Sequence, residues 1–146
     1  MSTSETILDS PVSPATLQPT LATVAATVLL VEDDAAVRRY LEVILRRAGY
    51  KVVSAANGIQ AIKAALSAKI DAVVTDALMP HLNGRELCRY LRARAELSRL
   101  PILLLTGLEQ NAAAPEINEY ADAHLTKPVR PEVFTDCLAR LLAPKN

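Results

Sequence analysis

The stretch "TVLLVEDDAAVRRYLEVILRRAG", residues 27 to 49, changes its period halfway along. Thr27 to Val31 is an unbroken run of β-branched and aliphatic residues, the pattern of a strand covered on both faces. From Val37 onward, Val37, Tyr40, Leu41, Ile44, Leu45 and Ala48 recur at three- and four-residue steps, which puts them on one side of a helix that stops at Gly49. Between strand and helix lie three acids, Glu32, Asp33 and Asp34.

The same alternation continues down the chain. "YKVVSA" (50 to 55) reads as a second strand, Asn57-Gly58 as a turn, and Ile59, Ile62, Ala65 and Leu66 as the apolar residues of a short helix. "DAVVTD" (71 to 76) is a third strand, and Leu87, Cys88, Leu91 and Ala95 mark a helix that begins near Gly84. "LPILLLT" (100 to 106) is a fourth strand with both faces covered. A weaker helix near Pro115 to Ala121 follows in "GLEQNAAAPEINEYA" (107 to 121), then a strand "AHLTK" (123 to 127). A last helix carries Val133, Phe134, Cys137, Leu138, Leu141 and Leu142. Five strand-helix units in strict order predict an α/β fold: a doubly wound parallel sheet with right-handed crossovers and helices on both faces. Ligands of such sheets bind beyond the carboxyl ends of the strands.

At 146 residues the chain has room for one domain with one core, and half of it is hydrophobic. Its formal net charge of zero supplies no global field toward nucleic acid or an anionic membrane. Cys88 and Cys137 lie far apart in helical patterns, as reduced thiols do, with no Cys-x-x-Cys or His spacing for metal or redox work. Residues 1 to 27 carry no Lys or Arg, the prolines Pro11, Pro14 and Pro19, and ten Ser or Thr residues. Such a segment is expected to be a flexible leader, with the folded domain from residue 28 onward. It has neither a basic start nor a long apolar run, so the expectation is a soluble cytoplasmic protein with no membrane contact.

Chemistry collects at the strand ends. The first ends in Glu32, Asp33 and Asp34, the third in Asp76, the fourth in Thr106-Gly107 and the fifth in Lys127-Pro128. In a parallel sheet all of these emerge at one edge. Each alone has a plain reading: a helix cap for Glu32 or Asp34, the role assigned to Asp34; a turn cap for Asp76; an ordinary strand end for Thr106 or Lys127. Together, clustered carboxylates repel unless a cation sits among them, and oxygen-only ligands from Glu32, Asp33 and Asp76 suit Mg²⁺. Lys127 can pair with Asp76 and then with a phosphoryl group on it, while Thr106 can donate to a phosphoryl oxygen. This set suits phosphoryl transfer to a carboxylate.

The motifs "LLVEDD" (29 to 34), "DAVVTDALMPHLNG" (71 to 84), "PILLLTG" (101 to 107) and "HLTKPV" (124 to 129) together resemble the receiver domain of two-component response regulators. The resemblance covers about residues 28 to 142. It implies a flavodoxin-like five-stranded parallel sheet of order 2-1-3-4-5 with five helices. It implies Asp76 as phospho-acceptor, Glu32 and Asp33 as the acid pair around Mg²⁺, and the Leu78 backbone carbonyl as a further ligand. Lys127 becomes the phosphoryl contact, and Thr106 the switch hydroxyl. His124 occupies the family's switch-aromatic position. Leu78 stands where relatives often carry a polar side chain that orients water, which implies a long-lived phosphoryl group.

The function implied is a switch rather than an enzyme. A sensor histidine kinase or histidine phosphotransfer protein donates the phosphoryl group, and the face of the fourth helix, fifth strand and fifth helix signals to a downstream protein, with a homodimer possible and no direct nucleic-acid binding. A stand-alone receiver is the leading expectation, and a module of a hybrid kinase or larger regulator the alternative. Arg38, Arg39, Arg46 and Arg47 read as a solvated basic face or a kinase dock. An aspartate-nucleophile phosphatase is opposed by Leu78, where a second aspartate would act as general acid. A nucleotide-binding domain is opposed by acids where a Gly-rich loop would be.

Overall fold

The computed structural model describes residues 25–79, 82–107 and 120–144. The elements are β1 (Thr27–Val31), α1 (Ala35–Arg47), β2 (Lys51–Ala55), α2 (Gly58–Ser67), β3 (Ala72–Asp76), α3 (Gly84–Ala93), β4 (Ile102–Thr106), β5 (Ala123–Thr126) and α4 (Pro131–Leu142). All four pairings are parallel, and the strand order is β2-β1-β3-β4-β5. The doubly wound parallel sheet expected from the alternation is the observed one, in the flavodoxin-like order that the resemblance implies. The helix expected near Pro115 falls largely outside the described residues, as do the leader up to residue 24 and the Pro80 turn, so the last helix is numbered α4 here.

Alternation along the strands builds two core layers. Leu29, Val31, Val73, Ile102 and Leu104 face α2 and α3, packing with Ala61, Ala65, Leu87, Cys88 and Leu91. Val28, Leu30, Val74, Leu103 and Leu105 face the other way, against Leu41, Leu45, Phe134 and Leu138 of α1 and α4. Each fully buried Leu or Phe contributes about 1.5–3 kcal/mol relative to exposure. β3 and β4 are buried at every residue, which is why their sequences are apolar without alternation.

Two helix faces depart from the sequence reading. In α2 the buried residues are Gly58, Ala61 and Ala65, while Ile59 and Leu66 are exposed. The helix lies close to its neighbours, and small residues permit that approach; a Cβ at Gly58 would come within 2.9 Å of three Leu82 side-chain atoms. Tyr40 of α1 is also half exposed, its hydroxyl 3.5 Å from the Val129 carbonyl. Ala95, assigned to the third helix, lies beyond its end at Ala93.

Since β1 sends the chain to β2 on one side and β3 lies on its other side, the strand order reverses between β1 and β3. That crevice, at the carboxyl ends of β1 and β3, is where the acids stand.

Candidate functional site

Asp76 is the last residue of β3 and almost fully buried. Its main chain is fixed by the sheet and by the tight approach of α3: the Gly84 N–H donates to the Ala77 carbonyl at 3.0 Å. A Cβ on Gly84 would stand 2.4 Å from the Asp76 carbonyl oxygen, so the first residue of α3 has no room for a side chain. A capping box fixes that helix start, Asn83 accepting from the Glu86 N–H while the Glu86 carboxylate accepts from the Asn83 N–H. Asp76 Oδ1 lies 3.4 Å from the Leu78 N–H.

Glu32 follows β1 and is buried, with 1% of its surface exposed. Its Oε2 accepts from the Asp34 N–H at 3.1 Å, and its Oε1 lies 3.3 Å from Lys127 Nζ. Lys127 reaches in from the end of β5 and also lies 3.2 Å from Asp76 Oδ1. Asp33, between Glu32 and Asp34, is exposed. Asp34 caps α1, its Oδ1 accepting from the Ala36 and Val37 N–H groups, the structural role expected for it.

The electrostatics follow from crowding. Burial pushes the Glu32 carboxyl above the ordinary range, and Asp76 adds to that shift, against the Asp34 N–H and Lys127. For Lys127, burial pulls its pKa down as the largest single influence, yet Asp76 and Glu32 together raise it, so the side chain stays an ammonium. Glu32, Asp33 and Asp76 each place a carboxylate oxygen within 4.8 Å of the others, and among the described residues Lys127 pairs with two of the three, Glu32 and Asp76. That donor set, hard oxygens in excess negative charge, fits a divalent ion such as Mg²⁺.

Thr106 ends β4, is 3% exposed, and its Oγ1 is buried with no hydrogen-bond partner. A buried hydroxyl left unpaired costs about 1–3 kcal/mol, so this side chain has a donor to offer to an acceptor brought beside it. The Thr106 carbonyl accepts from the Lys127 N–H at 2.7 Å, which ties the two strand ends together. His124 lies within β5 in register with Leu104, partly buried and away from the strand ends that carry the acids. The Leu78 side chain is 59% exposed.

The structure thus brings Glu32, Asp33, Asp76 and Lys127 into one cluster, and sets Thr106 at the adjoining strand end. Reasoning from sequence missed the clearance at Gly84, for which a glycine at a helix start was the available signal. It also missed Arg38, whose Nη1 donates to the Glu32 carbonyl at 2.8 Å. Nothing in the apolar periodicity distinguishes that arginine from Arg39 beside it.

Known proteins resemble this chain in sequence and fold. The family model for the response regulator receiver domain matches residues 28–139. The transcriptional regulatory protein AfsQ1 of Streptomyces coelicolor is 35% identical over 109 residues, 74% of this chain and 47% of its own length. The chain spans about half the length of the curated relatives it matches. A putative response regulator from Chloroflexus aurantiacus superposes with a TM-score of 0.79 at 34% identity, covering 83% of this chain and 100% of that one. The receiver domain of a sensor histidine kinase from Pseudomonas aeruginosa, with a magnesium ion coordinated in its active site cleft, gives 0.76 at 30% identity, over 82% and 98%. With the sheet order, the acid cluster and these matches in agreement, the chain belongs to the response regulator receiver domain family.

Proposed function

We propose that this receiver domain is a phosphorylation-dependent switch in which Asp76 accepts a phosphoryl group from a phosphohistidine. The observation that carries the reading is the placement of Asp76: buried, at the end of a central strand, 3.2 Å from Lys127 and grouped with Glu32 and Asp33. A carboxylate oxygen of Asp76 attacks phosphorus, the O–P bond forms as the N–P bond breaks, and the electron pair of that bond leaves with the imidazole of the donor.

Glu32, Asp33, Asp76 and the Leu78 backbone carbonyl are the groups assigned to hold Mg²⁺. Bound there, the ion neutralises charge on the phosphoryl oxygens and offsets repulsion between the acids. Lys127 keeps its charge because two carboxylates hold it, and it turns from Asp76 to a phosphoryl oxygen as the carboxylate becomes a mixed carboxylic-phosphoric anhydride. Thr106 donates its unpaired hydroxyl to the same group. Its movement toward Asp76 vacates space beside β5, where His124 adjusts and alters the surface next to α4. The donor is a sensor histidine kinase or histidine phosphotransfer protein in the cytoplasm. The output is contact with a downstream protein, not nucleic-acid binding by these residues, which carry no global charge that would favour it.

Incubation with acetyl phosphate and Mg²⁺ followed by intact mass measurement tests this. A phosphate-sized mass gain, absent in Asp76→Asn and in chelator, is expected. Sustained phosphate release from many phosphomonoesters would instead identify a hydrolase, and no gain at all would remove the phospho-acceptor role.

A further inference from the structure

Three hydrogen bonds close a ring around Asp33. The Asp34 N–H donates to Glu32 Oε2 at 3.1 Å. The Arg38 N–H donates to the Asp34 carbonyl at 2.8 Å, the first bond of α1. The Arg38 guanidinium then reaches back over the helix cap, Nη1 donating to the Glu32 carbonyl at 2.8 Å. Glu32 is anchored on its far side as well, its N–H donating to the Ala55 carbonyl at 3.1 Å. Asp33 is the residue inside the ring. It is also the exposed member of the three-acid cluster, so packing does little to aim its carboxylate.

From this geometry we propose that Arg38 is a positioning residue for the cation site, fixing the backbone on either side of Asp33 so that its carboxylate points at Glu32 and Asp76. The inference rests on the reading of Glu32, Asp33 and Asp76 as the cation site. The bond is charge-assisted, because the guanidinium is always protonated and a carbonyl is its acceptor. It spans six residues from helix to loop, so breaking it opens the ring at the Glu32 carbonyl, on the N-terminal side of Asp33. Arg39, the next residue, is exposed and serves as a control that removes the same charge from the same helix.

Residues that orient metal ligands without touching the metal typically change affinity by 10- to 100-fold when lost. Arg38 acts through backbone, so the lower figure applies: Arg38→Met is expected to weaken Mg²⁺ binding about tenfold. Arg38→Lys, which keeps a charged donor of similar reach, should recover most of the loss, and Arg39→Met should change Mg²⁺ affinity little. The measurement is calorimetric titration of each full-length protein with MgCl₂, beside the melting temperature without Mg²⁺. The rate of acetyl-phosphate labelling against Mg²⁺ concentration adds a second readout: Arg38→Met raises the half-saturating Mg²⁺ and leaves the rate at saturation near that of the unsubstituted protein. Unchanged Mg²⁺ affinity in a folded Arg38→Met protein overturns the proposal. Equal weakening in Arg39→Met overturns it too, by reducing the effect to net charge. A failure of Arg38→Lys to recover affinity does the same, provided that protein melts normally. If the unsubstituted protein binds no Mg²⁺ at all, the cation-site reading falls, and this inference with it.

Discussion

Gly84→Ala tests how tightly the end of β3 is locked to α3. An added Cβ would stand 2.4 Å from the Asp76 carbonyl oxygen and 2.8 Å from Ala77 Cα, and both are backbone atoms that no rotamer change can move aside. To reach even 3.0 Å from that oxygen, the start of α3 must retreat by roughly 0.6 Å, which stretches the 3.0 Å bond from the Gly84 N–H to Ala77. Overpacking of this kind costs about 1–3 kcal/mol. Against it, alanine lowers the entropy of the unfolded chain and favours helix, worth about 0.4–1 kcal/mol where the residue fits. The balance is a loss of about 1–2 kcal/mol. With a urea dependence of about 1–3 kcal/mol per molar, the unfolding midpoint should fall by about 0.3–2 M with an unchanged slope. The two contributions have opposite signs, so the experiment discriminates cleanly: an unchanged or higher midpoint would show that α3 does not press on Asp76 and would refute the reasoning. Labelling by acetyl phosphate should slow in the same variant, because the displaced atom belongs to the proposed acceptor.

Leu78→Asn should shorten the life of the aspartyl phosphate, since an amide in this exposed position can orient water; decay followed by mass that is equal or slower than in the unsubstituted protein would sink the idea. Glu32→Gln probes a pKa held high by burial: the fold favours the protonated form, so ionisation costs stability, a cost absent at low pH and complete above the raised value. Unfolding midpoints of the two proteins without Mg²⁺ should therefore shift in favour of Glu32→Gln as pH climbs above the ordinary carboxylate range, and the opposite slope would contradict the burial argument. Cys88 has no exposed surface, and burial pushes its thiol up to about 12. In a Cys137→Ser background an aromatic disulfide reagent at about pH 8 should label Cys88 only as the protein unfolds; rapid labelling of the native protein would show that the α3 face opens.

Much of this was legible in the chain because the same physics writes both pattern and fold. Buried parallel strands must be apolar throughout, so "VLLV", "AVVT" and "ILLL" announce themselves, and polar groups at their ends stand out against that background. Distance was less legible. Ile59 and Leu66 read as core because they are large, yet the residues of α2 that are buried are Gly58, Ala61 and Ala65, and Ile59 and Leu66 are exposed. Arg38 read as one of four surface arginines, because a side-chain bond to a backbone carbonyl leaves no periodic trace. Arg92 is similar: it donates to the carbonyls of Tyr120, Ser98 and Leu100 and pairs with Asp122, stitching the end of α3 to the start of β5. Hydropathy shows which face of an element is buried, but the clearance and the long polar reach emerge only when the elements are packed.

Groups that oppose folding gather at the strand ends that carry the site. The carboxylate of Glu32 is taken out of water, three acids crowd together with one ammonium paired to two of them, and the Thr106 hydroxyl is buried without a partner, each of which opposes folding. A structural role would favour the reverse: an apolar residue at Thr106 and an amide at Glu32 would relieve both penalties within the same volume. What reconciles the two is a ligand pair that supplies what the protein lacks, positive charge among the acids and an acceptor for the hydroxyl. A cation alone answers only the first and a phosphoryl group alone worsens it. The two deficits therefore ask for different partners, a cation for the acids and an acceptor for the hydroxyl, which is what the proposed switch would bring to one sheet edge.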